Sequence, residues 1–172
     1  GLTASSSTVI LDMFGEAQGQ SHQISNLEIV GGHLYCHMGD GFNPTTAQSL
    51  TSFRGKILRL NLDGTPVPSN PWYNGGAFTA RDYIFCAGVR NPFGGAWRAA
   101  DNRRYCVEHG PNIDRISILE SGRNFGWNGS DASMSNFAIY NWQPSAGPVN
   151  IAFVQPQTFG GSSFPQDKFD HA

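Results

Sequence analysis

The chain has 172 residues, of which 39% are hydrophobic and 14% are charged, so it is long enough and apolar enough to build a packed core. A formal net charge of −2 excludes the dense positive surface that a nucleic-acid partner requires. No apolar run approaches the roughly 18 residues that span a bilayer. The N-terminus shows neither an initiator Met nor a signal-peptide pattern. The sequence therefore predicts no membrane span, and its first residues do not indicate the cellular compartment.

The composition favours a turn-rich, all-β protein. Twenty-one glycines and ten prolines accompany many Ser, Thr and Asn residues, and no long amphipathic helix is evident. Short apolar runs separated by Gly, Asn, Asp or Pro turns recur along the whole chain. We predict strands at Thr8–Phe14, Asn26–Val30, His33–His37, Lys56–Asn61, Tyr83–Ala87, Gly95–Arg98, Arg104–Glu108, Arg115–Leu119 and Val149–Val154.

Side chains that could bind a metal through nitrogen or sulfur are few and scattered. Three cysteines, Cys36, Cys86 and Cys106, are too few for a disulfide scaffold and too dispersed for a zinc knuckle. We expect buried structural thiols, with one disulfide and a free thiol as the alternative. His33 and His37 share one face of a predicted strand. Since no third ligand accompanies them, we interpret them as surface histidines.

The chain resembles itself at an offset of 70 residues. Leu27–Cys36 and Trp97–Cys106 each combine an apolar strand, a two-residue turn of Gly-Gly or Asp-Asn type, and a second strand that ends in Tyr-Cys. A glycine-containing loop and a third strand follow in both copies, and a third unit begins near residue 147.

Repeated antiparallel units of this kind are typical of β-propeller blades. We predict one domain, residues 1–172, that forms part of a β-propeller. Its blade units span roughly 22–90 and 93–142, and a further blade begins at 147–172. A closed propeller needs about four blades or more, so we expect other polypeptide to cover the open faces: the remaining blades, a second copy or another subunit. A twisted β-sandwich is the competing architecture.

Several segments follow one another in the order of a known family. They are His22-Gln23 followed by Leu27 and Gly39-Asp40, Gly55–Gly64 continuing to Pro68–Pro71, Arg90-Asn91-Pro92, Glu108–Pro111 with Asp114, and Asn124–Trp127. This order resembles the soluble pyrroloquinoline-quinone (PQQ) glucose dehydrogenases and the wider group of aldose sugar and sorbosone dehydrogenases. The resemblance covers residues 20–128 and weakens towards residue 154. It implies a six-bladed β-propeller with the cofactor over the central channel.

The resemblance also implies a reaction. Such an enzyme oxidises the anomeric hydroxyl of an aldose sugar to a lactone and transfers a hydride to PQQ. His22 corresponds to the base that takes the hydroxyl proton, a task that suits a neutral imidazole. Asp40 would orient that imidazole, and Arg90 would stabilise negative charge on the reduced quinone.

Further residues are assigned to the cofactor and its metal by the same resemblance. Arg90, Asn91 and Phe93 would contact PQQ. The carbonyl groups of Gly110 and Pro111 would bind a calcium ion, with Asp114 as acidic support nearby. The family is exported, so we expect a periplasmic or extracellular protein.

Some positions depart from the family pattern. Phe93 stands where a polar Gln usually touches the cofactor, and Arg115 replaces an acidic residue that a second calcium site would need. The Lys and Arg residues that clamp the cofactor lie in later blades, so we expect this chain alone to be inactive. The alternative is a non-enzymatic extracellular propeller that binds a protein or glycan, as hedgehog-interacting proteins do, or serves as an assembly subunit.

Overall fold

The computed structural model of the protein describes residues 3–16, 19, 21–75 and 78–172, and it is built from two four-stranded antiparallel sheets. The first sheet contains β1 (Ile24–Val30), β2 (His33–Met38), β3 (Lys56–Asn61) and β4 (Ile84–Ala87). The second contains β5 (Gly94–Arg98), β6 (Arg103–Glu108), β7 (Asp114–Leu119) and β8 (Ala138–Trp142). The helices are short: α1 (Pro44–Gln48), α2 (Ala80–Tyr83), α3 (Pro156–Phe159), and the 3₁₀ turns Asp131–Ser135 and Gln166–Lys168. The all-β prediction is confirmed.

The two equivalent hairpins close differently. In the first, Val30 pairs with His33 across Gly31-Gly32. Both glycines have positive φ (59° and 80°), as a two-residue type I′ turn requires. In the second, Arg98 pairs with Arg103, so the loop has four residues, 99–102. The predicted two-residue turn is therefore wrong for the second hairpin.

The core has two clusters of similar size, one between the facing sheets and one on the other side of the first sheet. Alternation along β2 sends Tyr35 to the side between the sheets and Leu34 and Cys36 to the other. The inter-sheet cluster consists of buried side chains from both sheets: Tyr35, Ile57, Phe85, Cys86, Val89, Cys106, Leu119 and Phe125.

Terminal segments cover part of the outer faces. Leu11 and Met13 pack against the outer core of the first sheet, yet residues 8–14 form no strand, so that prediction is wrong. The predicted strand Val149–Val154 is also absent. Phe153 instead stacks on Tyr105 of β6, with ring centroids 4.9 Å apart. Both segments use their side chains to cover a sheet rather than their backbones to extend one.

The cysteines and His37 belong to the interior. All three cysteines are free and buried, which confirms the prediction of buried thiols. His37 is only 1% exposed, so the surface prediction is wrong for it. A Cβ on Gly95 would lie 2.5 Å from His37 Cε1, which shows that the missing side chain of Gly95 makes room for this ring between the sheets. Burial lowers the pKa of His37 to about 4.

Within the described ranges, no helix is both long and apolar enough to cross a membrane.

Candidate active site

Backbone pairing at the open end of the β1–β2 hairpin brings His22 and Asp40 together. His22 precedes β1 and Asp40 follows β2, and the Gly41 N–H donates to the His22 carbonyl over 3.2 Å. Gly39 is needed for this approach, because a Cβ there would lie 2.4 Å from the His22 carbonyl oxygen. An antiparallel hairpin therefore makes neighbours of residues 18 positions apart.

His22 and Asp40 form a buried hydrogen-bonded pair. His22 Nδ1 lies 2.6 Å from Asp40 Oδ1, and the residues are 7% and 1% exposed. The Phe42 N–H donates to the same carboxylate oxygen over 3.0 Å, and the Trp127 indole N–H donates to Oδ2 over 2.7 Å. Because three donors converge on Asp40, its carboxylate is held in one orientation and fixes the imidazole in turn.

Arg90 enters the site from the end of β4. Its carbonyl accepts the Asp40 N–H over 2.8 Å, and its own N–H donates to the Glu108 carboxylate. Arg90 Nη1 donates to the His109 carbonyl over 2.9 Å. Burial lowers the pKa of Arg90, while Asp40 and other carboxylates oppose that shift. The result is a partly buried cation close to the His22–Asp40 pair.

These side chains surround a cavity of about 230 Å³. Its lining consists of His22, Asp40, Phe42, Pro44, Arg90, Pro111, Trp127 and Gly129. Four of the residues singled out from the sequence thus meet at one place. A larger cavity of about 600 Å³ lies in the C-terminal segment and is lined mainly by apolar side chains, so it lacks a comparable set of catalytic groups.

Two predicted cofactor contacts lie outside this lining. Asn91 is buried, and its carbonyl accepts the His109 N–H over 3.1 Å. Phe93 is 39% exposed, and its ring meets the His109 ring edge-on with centroids 6.4 Å apart. The structure therefore places both beside the loop that carries His109 rather than against the cavity.

Asp114 braces the loop that was expected to bind calcium. Its Oδ1 accepts the Gly110 N–H over 2.9 Å, and Oδ2 accepts N–H groups from Ala146 and Gly147 over 2.7 and 2.6 Å. Burial alone would raise the pKa of Asp114, but these hydrogen bonds and one from Ser145 outweigh it and lower that pKa. Asp114 therefore shapes the Gly110-Pro111 turn through hydrogen bonds to both of its carboxylate oxygens.

Arg115 joins this loop to the rest of the site. It is fully buried, and its Nε lies 2.7 Å from Glu108 Oε2. Its Nη1 donates to the carbonyls of Phe125, Ser133 and Asn136 over 2.9 to 3.2 Å. The Arg115 guanidinium thus links several segments that contact the site. From the sequence, Arg115 indicated only that an acidic calcium ligand had been lost.

No group of three or more His, Cys, Asp or Glu residues able to hold a metal occurs in the part of the chain that the structure describes. A hard cation bound here would therefore depend on carbonyl oxygens.

Sequence reasoning missed the roles of Trp127 and Phe42. Trp127 follows β7 by several residues, and hydrogen bonds from residues 123–127 to β4 carry it across to the first sheet. Its position inside the matched Asn124–Trp127 segment was the available signal. Phe42 has a positive φ of 62°, and its ring centroid lies 4.0 Å from that of His22. No sequence pattern predicts that an aromatic residue with a left-handed backbone conformation will lie beside the histidine base.

Comparison with known families gives one consistent result. Residues 2–165 match the sequence profile described as glucose / sorbosone dehydrogenase. The aldose sugar dehydrogenase of Escherichia coli is 36% identical over 97 residues, which cover 56% of this chain and 26% of that protein. Quinoprotein glucose dehydrogenase B of Acinetobacter calcoaceticus is 39% identical over 77 residues, covering 44% of this chain and 15% of that protein. The chain thus spans about a quarter or less of these relatives.

Solved structures of similar fold are also sugar dehydrogenases. The PQQ-bound aldose sugar dehydrogenase of Streptomyces coelicolor superposes with a TM-score of 0.68 at 27% identity, covering 81% of this chain and 42% of that one. A glucose dehydrogenase superposes with a TM-score of 0.73 at 26% identity, covering 92% and 49%. These likenesses confirm the predicted fold: the two sheets form part of a β-propeller.

Proposed function

The chain belongs to the glucose / sorbosone dehydrogenase family, and from this premise we propose that it forms part of a PQQ-dependent enzyme that oxidises an aldose at its anomeric carbon. The observation that carries the proposal is the His22–Asp40 pair at the wall of a cavity that also receives the Arg90 cation. The product would be the lactone, and the protein would be periplasmic or extracellular.

His22 supplies the proton acceptor. Its Nδ1 is bound to Asp40, so Nε2 is the ring nitrogen left for the substrate, and within the described residues it has no hydrogen-bond partner. Nε2 takes the proton of the anomeric hydroxyl while Asp40 stabilises the imidazolium that results. When bound, PQQ supplies the acceptor for the hydride that leaves the anomeric carbon.

The residues present fit one edge of an anionic, planar cofactor. Arg90 is partly buried, and no ion pair to a carboxylate is found for it among the described residues. A cation of this kind favours an anionic partner, and the guanidinium fork can donate to neighbouring oxygens. Asn91 and Phe93 are proposed as further cofactor contacts, next in sequence to Arg90 and outside the lining of the cavity.

Calcium would be held by the backbone at Gly110 and Pro111. Pro111 lines the cavity, and the Gly110 N–H is fixed by Asp114. Gly110 accepts no side chain, since a Cβ would lie 2.0 Å from the Ile113 carbonyl oxygen. The hydrogen bond from Gly110 to Asp114 and the close approach of Ile113 fix the shape of this turn, whose carbonyl oxygens are the proposed ligands of a hard cation.

The cavity is smaller than the roughly 300–1,000 Å³ of most small-molecule sites, at about 230 Å³. We propose that the remaining blades complete the site and that the aldose sugar is its substrate. If the protein is instead a binding propeller without enzymatic activity, the following experiment would show it.

The test uses the intact polypeptide that carries this sequence, supplied with PQQ and calcium. Reduction of an artificial electron acceptor by a panel of aldoses is expected, and His22→Ala should lower kcat about 10²- to 10⁴-fold. His33→Ala is the matched control, since His33 is a partly buried histidine in the same sheet and should leave the rate unchanged. Activity that survives His22→Ala would overturn the mechanism. A polypeptide that neither binds PQQ nor oxidises any aldose would support the binding role.

A further inference from the structure

The indole of Trp127 contacts both charged parts of the candidate site. Its N–H donates to Asp40 Oδ2 over 2.7 Å, and the Arg90 guanidinium carbon lies 5.5 Å from the centre of its ring. The residue is 3% exposed and lies 87 positions from Asp40 in the sequence. One side chain from the loop between β7 and β8 thus reaches two functional groups that follow strands of the first sheet.

The hydrogen bonds to Asp40 show what the indole contributes. Oδ1 already accepts from His22 and from the Phe42 backbone, whereas Oδ2 accepts from Trp127. With Asp40 1% exposed, no solvent shell replaces a lost donor. Without the indole N–H, Oδ2 would be a buried acceptor that has lost its donor, and the carboxylate would be held through Oδ1 alone, so the oxygen that orients His22 would be less tightly fixed.

The contact with Arg90 acts on the second group. A guanidinium within about 6 Å of an indole face is attracted by the ring quadrupole. The Trp127 backbone is itself fixed, because its N–H donates to the Gly88 carbonyl over 2.9 Å. The backbone hydrogen bond therefore fixes the position of the Trp127 ring, and the ring can in turn set the position of the Arg90 guanidinium.

We propose that Trp127 is the positioning residue of this site: it fixes the orientation of Asp40, and through it the Nδ1–H tautomer of His22, and it supports Arg90. Trp127 lines the cavity, and its proposed role is exerted through these side chains rather than by transfer of a proton or hydride. The proposal deepens the proposed function and rests on it for the catalytic consequence, but the positioning itself does not depend on which ligand binds.

The rival explanation is that Trp127 only fills space. It packs in a small cluster with Ala47, Met134 and Ile113, so truncation would create a cavity and could unfold the protein. The decisive variant must therefore remove the N–H and keep the volume. Replacing Trp127 by β-(3-benzothienyl)alanine at a reassigned codon exchanges the indole N–H for sulfur with little change of shape. The same replacement at Trp97, whose indole N–H donates to Asn102 at an exposed position, is the matched control.

Two readouts separate positioning from packing. In the intact polypeptide with ¹⁵N-labelled histidine, the His22 Nδ1–H proton should give a hydrogen-bonded, far-downfield signal that is lost or shifted in the Trp127 variant and unchanged in the Trp97 variant. In the PQQ-loaded protein, kcat should fall about 10- to 100-fold with the KM for the sugar within about twofold.

The outcomes are distinct. An unchanged His22 signal in the Trp127 variant overturns the positioning role, whatever happens to the rate. A changed His22 signal with kcat unaffected overturns the catalytic consequence. A changed signal in a protein whose wild type oxidises no sugar refutes the proposed function and leaves the positioning role supported.

Discussion

Arg115→Met should be among the most damaging single substitutions in this chain. The guanidinium is 0% exposed as a side chain and lies 2.7 Å from a Glu108 carboxylate oxygen that is itself buried. Methionine has similar length and no charge, so it removes the partner of Glu108 without leaving a large void. The carbonyls of Phe125, Ser133 and Asn136 lose their shared donor at the same time.

The magnitude follows from this burial. Removing one partner of a buried ion pair costs about 3–5 kcal/mol, because the remaining charge is left uncompensated. Each unsatisfied carbonyl adds roughly 1 kcal/mol or more, although these costs do not simply add. We expect a loss of about 4 kcal/mol, which corresponds to a fall in Tm of roughly 8–16 °C for a domain of this size.

Urea unfolding of the intact polypeptide at pH 7, followed by circular dichroism and tryptophan fluorescence, measures this loss. Arg123→Met is the matched control, because Arg123 pairs with Glu120 at the surface, where the side chains are 32% and 53% exposed. That pair should contribute less than about 1 kcal/mol. Adding Glu108→Gln to Arg115→Met should recover part of the loss. If Arg115→Met costs no more than Arg123→Met, the assignment of a buried, paired guanidinium is refuted.

The remaining predictions concern pH, backbone shape and thiol access. Burial lowers the pKa of His37 to about 4, so this imidazole takes up a proton near pH 6.5 in the unfolded chain but only near pH 4 in the folded chain. Stability present above pH 6.5 is therefore lost towards pH 4, by on the order of 3 kcal/mol. His37→Gln should flatten that acid slope in urea titrations, and an unaltered slope would contradict the burial. Gly88→Ala should cost several kcal/mol, since φ is +76° and a Cβ would lie 2.0 Å from Asn124 Oδ1, whereas Gly31→Ala, with open space around it, should cost about 1–2 kcal/mol. The buried thiols, among them Cys36 with a pKa raised by burial to about 11, should react with a thiol reagent only at the rate of unfolding, and rapid labelling of the native protein would count against this.

The sequence predicted the parts of the site that depend on local geometry. The family resemblance assigned His22 and Asp40 to one site, and both flank one hairpin, so the pairing of its two strands is enough to bring them together. The Gly31-Gly32 turn is likewise a local signal. Trp127 could not be found in this way, because its contact with Asp40 depends on how two sheets face each other across 87 residues.

The errors have the same origin. The lack of a third ligand beside His33 and His37 predicts surface histidines, and the sequence of the strand does not indicate that Gly95 leaves room for the His37 ring between the sheets. Residues 8–14 and 149–154 carry apolar patterns typical of strands, but a strand also needs a neighbour with free backbone groups. In these segments the backbone pairing is missing, and only a few side chains, such as Leu11, Met13 and Phe153, pack against a sheet.

The hydrogen bonds between β4 and residues 122–127 also bear on solubility. The N–H and C=O of Ala87 are both used by this segment, as are the carbonyls of Phe85 and Gly88. The outer edge of the first sheet is thereby closed to any foreign strand. Among the described strands, β8 is the corresponding edge of the second sheet, and its Ile139 and Tyr140 are 54% and 55% exposed. Edge-to-edge self-association therefore has a starting point at β8, as it has at the β1 edge, where Leu27 and Ile29 are 60% and 65% exposed, and Ile139→Lys should reduce association through β8.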